Sequence, residues 1–182
     1  MFRFRLSPLF LFFFLTAACG SLCAEPIDVD AWEVFRATTQ PQFRMAFPGA
    51  VTEHKNELGH TYSGDVQPAD DIGLQVIVHA TRRNVSAAET DPDEAMEIFT
   101  SDPEGTVTSK EIVKDGNGFV LVYATLEKDD GLVIISLHNV HFLGYNIFDV
   151  SYAVIVDEAI SEKRLTEAVD LGRQVMEKFR AG

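Results

Sequence analysis

Hydrophobic and polar residues alternate along two stretches of the N-terminal half, a pattern typical of half-buried strands. The first stretch is Phe-Arg-Met-Ala-Phe over residues 43–47, which a Pro-Gly pair ends. The second covers residues 74–80, where every other residue is apolar. We also predict a strand over residues 60–65. Residues 28–36 are interpreted as a short lead-in that carries the only tryptophan of the chain.

A short helix is predicted to begin near residue 91. Asp91 is a candidate N-cap, Pro92 fits the first helical position, and Glu94 fits the third. Three apolar residues follow at helical spacing, so we expect them to share the buried face: Ala95, Ile98 and Phe99. Pro103 is expected to end the segment.

The next fifty residues predict a run of antiparallel strands joined by tight turns. Asp-Gly-Asn-Gly at residues 115–118 and Asp-Asp-Gly at residues 129–131 are turn sequences. They separate strands predicted over residues 106–114, 119–127 and 132–142. A fourth strand carries apolar residues at every second position, and these share one face: Phe148, Val150, Tyr152, Val154 and Val156.

An amphipathic helix is predicted over about residues 162–180. Its apolar side chains recur at helical spacing, opposite a charged face: Leu165, Ala168, Val169, Gly172, Val175, Met176 and Phe179. An antiparallel sheet must cover its apolar face, and this helix is the cover that we expect. The elements together predict the α+β class, as a single domain with an antiparallel meander and helices packed on its faces.

The first two dozen residues have the features of a secretory signal peptide. Arg3 and Arg5 precede an apolar run over residues 9–15, and small residues follow it. The run is shorter than the roughly 20 residues that a membrane-spanning helix needs. We therefore predict export to the bacterial periplasm or envelope and exclude residues 1–24 from the fold.

Two cleavage sites remain open. Thr-Ala-Ala-Cys at residues 16–19 is similar to a bacterial lipobox, which would give a signal peptide over residues 1–18 and a lipidated Cys19. Cleavage after Ala24 would instead leave residues 25–182 as the mature domain. Both cysteines, Cys19 and Cys23, would then be removed with the signal peptide. A lipid on Cys19 is the one form of membrane contact that we expect.

The chain is strongly acidic, with 28 Asp and Glu against 15 Lys and Arg, a formal charge of -13. Without Arg3 and Arg5, residues 25–182 hold 13 Lys and Arg against the same 28 acids, a charge of -15. We expect no nucleic-acid partner, because Lys and Arg must neutralise phosphates. The cations are dispersed and often adjoin acids, so we expect no basic contact patch. A charged partner would then contribute the basic groups.

Histidines are the main candidates for chemistry, and five follow the signal peptide: His54, His60, His79, His138 and His141. His138 and His141 have the H-x-x-H spacing of some metal sites. Residues three apart on a strand point to opposite faces, so these two should not share an ion. Ligands from separate strands remain the alternative. The sequence therefore assigns no metal ligand, no cofactor and no catalytic residue.

The acidic turns do not match known site motifs. A calcium loop that begins at Asp115 would need Glu at its twelfth position, where Leu126 stands. The acidic pairs at residues 70–71 and 129–130 are interpreted as solvated loop charges. The sequence contains no G-x-S-x-G, G-x-G-x-x-G or P-loop motif.

The order of elements and one short motif resemble the Mog1/PsbP-like superfamily, especially its small exported bacterial members of the DcrB type. The motif is Trp-Glu-Val-Phe at residues 32–35 with Phe-Arg-Met-Ala-Phe-Pro-Gly at residues 43–49. It is similar to the family's W-x-x-F … F-x-V-x-F-P-G opening, and the resemblance covers about residues 31–180. It implies a sheet with helices on both sides and a role in binding or assembly. The superfamily shares no catalytic set, so it implies no catalytic residue.

Two functional hypotheses follow. The first is a non-enzymatic binding or assembly module of the envelope, with an unknown protein partner. The alternative is an enzyme or metal carrier whose site combines His79, His138 and the acidic loops. A pocket with convergent polar groups of perturbed pKa would favour the enzyme, whereas an exposed apolar patch would favour the binding module.

Overall fold

The N-terminal part of the domain contributes two short strands to a small sheet. The computed structural model describes residues 28–57, 59–101 and 103–182. After a 3-10 turn at Val29–Ala31, strand β1 spans Glu33–Arg36 and strand β2 spans Phe43–Phe47. The lead-in interpretation of residues 28–36 was therefore incomplete, because β1 pairs antiparallel with β2. A strand of four residues is too short to show alternation in the sequence.

Three further strands follow: β3 at Thr52–Asn56, β4 at Gly59–Ala69 and β5 at Ile72–Arg82. The predicted strands over residues 60–65 and 74–80 are confirmed and extended at both ends. The sequence analysis missed β3, whose five residues are all exposed. An edge strand without a buried face carries no apolar alternation that could reveal it.

Helix α1 spans Pro92–Thr100 and follows a 3-10 turn at Ala87–Glu89. Its predicted cap is confirmed, since the Asp91 carboxylate accepts from the backbone N–H groups of Asp93 and Glu94. The predicted burial of Ile98 was wrong: Ile98 is 66% exposed, and Met96 is buried instead. Successive residues of a helix are about 100° apart around its axis. The side of α1 that faces the sheet is centred between Ala95 and Met96, so Ile98 lies at the edge of this side and is exposed.

The predicted run of four antiparallel strands is confirmed. These strands are β6 at Thr106–Asp115, β7 at Gly118–Asp129, β8 at Leu132–Leu143 and β9 at Asn146–Asp157. Tight turns join them at the predicted positions, and the apolar residues of β9 from Phe148 to Val156 are buried on one face.

The C-terminal helix is shorter than predicted. Helix α2 spans Glu162–Met176, and a two-residue strand, β10 at Arg180–Ala181, pairs with β2. The N–H groups of Lys178 and Phe179 donate to carbonyls only three residues back, which tightens the last turn and ends the helix. Phe179 is nonetheless buried, because the chain turns its ring into the core just after α2.

Within the described residues the strands form two antiparallel sheets. The main sheet has the order β3-β4-β5-β9-β8-β7-β6, and the small sheet has the order β1-β2-β10. The small sheet and α2 share one hydrophobic cluster with one face of the main sheet. Helix α1 shares a second cluster with its other face. These residues form a single domain of the α+β class.

A close contact between α2 and β9 fixes this packing. The Tyr152 hydroxyl donates to the Ala168 carbonyl at 3.1 Å, and burial raises the pKa of this phenol. A Cβ atom at Gly172 would lie 2.3 Å from Cδ1 of Tyr152. The helix can therefore approach the sheet this closely only because position 172 lacks a side chain.

Candidate functional site

The two histidines of the H-x-x-H motif lie on opposite faces of the main sheet, as the strand prediction required. The His141 ring lies 4.7 Å from the Phe179 ring on the α2 face. The His138 ring stacks on Tyr123 at 4.4 Å on the α1 face. The two imidazoles therefore cannot ligate one ion together.

Five polar side chains form a row across the α1 face, which we call the polar row: Thr61, His79, Asp149, His138 and Tyr123. Cross-strand pairing places Thr61 opposite His79, and His79 opposite Asp149. His138 lies opposite Tyr123 and diagonal to Asp149. The register thus brings together the two candidate histidines, His79 and His138, around a carboxylate that the sequence analysis did not single out.

The polar row contains one hydrogen bond and one pair of buried atoms without partners. Thr61 Oγ1 lies 3.0 Å from Nδ1 of His79. Nδ1 of His138 lies 3.7 Å from Oδ1 of Asp149, a distance too long for a hydrogen bond. Both atoms are buried, and neither has a hydrogen-bond partner among the described residues. Buried polar atoms are normally paired, so this pair is a site where a small rotation or a bound group would complete the bonding.

Burial controls the charge state of the polar row. Loss of water lowers the pKa of His79, and the negative charge of Asp149 opposes this only in part. Burial, together with Asp149, raises the pKa of the Tyr123 phenol. At neutral pH the row therefore contains a neutral imidazole and a protonated phenol. In the tautomer with its proton on Nε2, Nδ1 of His79 accepts a hydrogen bond from the Thr61 hydroxyl.

The other sequence candidates do not join this row. Asp71 pairs with Arg164, and His60 lies 2.9 Å from a carboxylate oxygen of Glu53 on the opposite face. The acidic pair at residues 129–130 lies in the turn between β7 and β8. Among the described residues, no group of three or more His, Cys, Asp or Glu is arranged to hold a metal ion.

A groove of about 330 Å³ lies between α1 and the main sheet, on the same face of the sheet as the polar row. We call it the α1 groove. Its base is formed by buried apolar side chains, Phe142 and Ile147, with Phe99 beside them. Two exposed apolar residues line its opening, Ile98 and Val85. Three exposed carboxylates line it as well: Glu89, Asp91 and Glu94.

The charges of the α1 groove have local structural causes. The pKa of Glu89 is lowered because Ser86 donates to it from its hydroxyl and from its backbone N–H. This contact is a capping box, so the shift does not indicate catalysis. The Arg83 guanidinium lies 5.8 Å from the centre of the Phe142 ring. The groove therefore combines an apolar base with a mouth where acids outnumber cations.

The sequence contained a weak signal for this groove. The sequence analysis explains Asp91 and Glu94 as a helix cap and does not single out Glu89. Ile98 was assigned to the core, since its spacing from Ala95 and Phe99 fits a buried stripe.

Comparison with known proteins gives little further information. No family model matches the chain, and no curated protein matches it. A crystal structure from Bacteroides thetaiotaomicron VPI-5482 superposes with a TM-score of 0.43 at 16% sequence identity. The match covers 77% of this chain and 45% of that one, so this chain spans less than half of that protein.

The targeting predictions concern a part of the chain outside the described residues. The signal peptide over residues 1–24, the cleavage sites and Cys19 all fall there. Among the described helices, none combines the length and the apolar character that crossing a membrane requires.

Proposed function

We propose that this chain is a non-enzymatic binding module of the bacterial envelope that holds a basic, partly apolar segment of a partner protein in the α1 groove. The observation that carries the proposal is the composition of the groove, an apolar base inside an acidic mouth. A segment with apolar side chains would cover the base. Lys or Arg on the same segment would meet the carboxylates.

The exposed apolar residues at the groove support a binding role. Ile98 is 66% exposed and Val85 is 42% exposed, and they line the same depression. Isolated apolar side chains on a surface are ordinary, but a cluster rimmed by polar groups is typical of an interaction site. Covering such a side chain fully contributes about 1.5–3 kcal/mol to binding.

Charge supports a basic partner. Residues 25–182 carry a formal charge of -15, and the groove itself contains three of these carboxylates and one arginine. Complementary charge accelerates encounter more than it tightens the final complex. We therefore expect association to slow as salt is added, because exposed charges are screened beyond about 8 Å at physiological ionic strength.

The envelope location and the family remain part of this proposal. They rest on the signal-like residues 1–24 and on the resemblance to the Mog1/PsbP-like superfamily, whose members bind or assemble. The groove has the exposed apolar character of a binding surface, and the shifted pKa of Glu89 has a capping explanation. This composition supports the binding module.

Photo-crosslinking at the groove tests the proposal. With p-benzoylphenylalanine at position 98, we expect crosslinking in intact cells of the organism that produces this protein to capture one partner. The crosslinked peptide of that partner should contain Lys or Arg together with apolar residues. The control position is Val113 on β6, an exposed apolar residue outside the groove. The Ile98→Ser variant should then bind the synthetic captured segment about ten-fold more weakly or worse.

Two results would contradict the binding module. The first is equal capture at positions 98 and 113, or no capture at position 98. The second is a captured segment that is acidic or lacks apolar residues.

The polar row supports a second candidate, an acid–base enzyme. Thr61 Oγ1 lies beside the His79 imidazole, and the Asp149 carboxylate acts on that imidazole through its charge; hydroxyl, imidazole and carboxylate are the groups that nucleophilic hydrolases use. In such an arrangement the neutral imidazole removes the hydroxyl proton, and the carboxylate stabilises the imidazolium that forms.

The second candidate is tested with an activated ester. If the row is catalytic, His79→Gln should reduce hydrolysis of p-nitrophenyl acetate by about 100-fold or more, the size of a lost general base. His60→Gln provides the matched control, because His60 is adjacent to Thr61 on β4 but points to the opposite face. Equal rates for wild type and both variants would exclude a catalytic role of His79 in ester hydrolysis.

A further inference from the structure

Three arginines lie side by side across the small sheet, and we call them the arginine row: Arg36, Arg44 and Arg180. Cross-strand register places Arg44 of β2 directly opposite Arg36 of β1 on one side and Arg180 of β10 on the other. Residues opposite each other in antiparallel strands point to the same face. Arg44 alternates with the buried Phe43 and Met45, so this face is turned away from the core, and all three arginines are exposed.

The arginine row corrects the expectation that this chain has no basic patch. Arg36 and Arg44 lie on neighbouring strands, whereas Arg180 is more than 130 positions further along the chain, and strand pairing brings the three together. Like charges directly opposite each other destabilise a sheet. None of the three forms an ion pair with an acid among the described residues, although Arg164 and Arg173 each do. Arg180 instead donates to the backbone carbonyls of Glu177 and Phe179.

We propose that the arginine row binds a compact phosphate-class anion, such as a pyrophosphate group. A guanidinium presents paired N–H donors that match two oxygens of one phosphate. Opposed Cα atoms of antiparallel strands lie about 4.5–5.5 Å apart, so the row is about 10 Å long. Such a row can serve two adjacent phosphates with several donors. The bound anion would also relieve the repulsion among the three cations.

The charge of the whole domain favours a compact anion over an extended one. Attraction by the row acts within roughly a Debye length, about 8 Å at physiological ionic strength. A membrane surface or a long polyanion would extend beyond the row. It would then meet a domain with a formal charge of -15 over residues 25–182. A small ligand fits within the length of the row. This site is on the small sheet and is independent of the α1 groove.

Pyrophosphate binding to Arg44 variants tests the proposal. In calorimetry at low ionic strength, we expect Arg44→Gln to bind pyrophosphate about ten-fold more weakly than wild type or worse, the effect of one lost charge-assisted hydrogen bond. The matched control is Arg82→Gln, an exposed arginine on β5 of the main sheet, which should bind like wild type. Without ligand, Arg44→Gln should melt at the same temperature as wild type or higher, because it removes a repulsion.

Measurements with other phosphate compounds distinguish a small phosphate ligand from a phospholipid surface. Inorganic phosphate should bind more weakly than pyrophosphate, with the same dependence on Arg44. Arg36→Gln provides a second variant if Arg44→Gln fails to fold. Equal pyrophosphate affinity in the wild type and in whichever of the two variants folds would overturn the proposal. So would binding to vesicles of anionic phospholipid without binding to pyrophosphate, because the ligand would then be an extended surface.

Discussion

Replacing Phe179 with alanine should lower the free energy of unfolding by about 3–5 kcal/mol, the range for a fully buried aromatic ring. Phe179 is 5% exposed. Its ring centre lies 6.0 Å from that of Phe43 and 5.4 Å from that of Phe148. These contacts join the small sheet and the main sheet just beyond the end of α2. The alanine variant would leave a cavity where three elements meet, and none of them can move alone to fill it.

Urea denaturation measures this effect. Tyr145→Ala is the control, since it removes another aromatic side chain that is 51% exposed in the turn between β8 and β9. Surface substitutions usually change stability by no more than about 0.5 kcal/mol. A loss below about 1 kcal/mol for Phe179→Ala would mean that this ring does not hold the two sheets together.

The same residue shows what a sequence pattern can and cannot predict. The apolar spacing correctly placed Phe179 in the core. It could not show that the helix ends at Met176 and that Phe179 reaches the core from the following turn. Helical spacing records which side chains are buried, whereas the end of the helix depends on local backbone hydrogen bonds. For β5 and β9, by contrast, alternation and burial coincide along nearly the whole strand.

The candidate sites were harder to predict because they depend on register. Thr61, His79 and Asp149 come from three strands, and no local spacing relates them. The arginine row likewise requires the C-terminal β10 to pair with β2, a contact between residues more than 130 positions apart. Strand alternation tells which face a residue occupies. It does not tell which residue of another strand lies beside it.

Domain stability should decrease below about pH 6.5 because of His141. Burial lowers the pKa of this imidazole from 6.5 to about 4, and the nearby Asp115 and Asp149 only partly oppose the shift. Its Nε2 is buried without a hydrogen-bond partner among the described residues, beside the Phe179 ring. A charged imidazolium would therefore be poorly solvated in the folded protein.

The direction of this effect follows from proton binding. Between about pH 6.5 and pH 4, the unfolded chain binds a proton at His141 that the folded chain does not, so acid favours unfolding. The contribution is fully present above about pH 6.5 and is lost as the pH falls toward 4. Its slope is about 1.4 kcal/mol per pH unit, or about 2 kcal/mol by pH 5. His79, whose pKa is also lowered, adds a dependence of the same sign.

Substituting His141 with phenylalanine isolates this contribution. The ring keeps its contact with Phe179, but no group remains that must be neutral in the fold. We expect His141→Phe to flatten the urea stability profile between pH 8 and pH 5 and to be more stable than wild type at pH 5. His54→Gln on the exposed strand β3 serves as the control and should follow the wild-type profile. If His141→Phe loses stability toward pH 5 as steeply as wild type, His141 titrates normally and the acid sensitivity arises elsewhere.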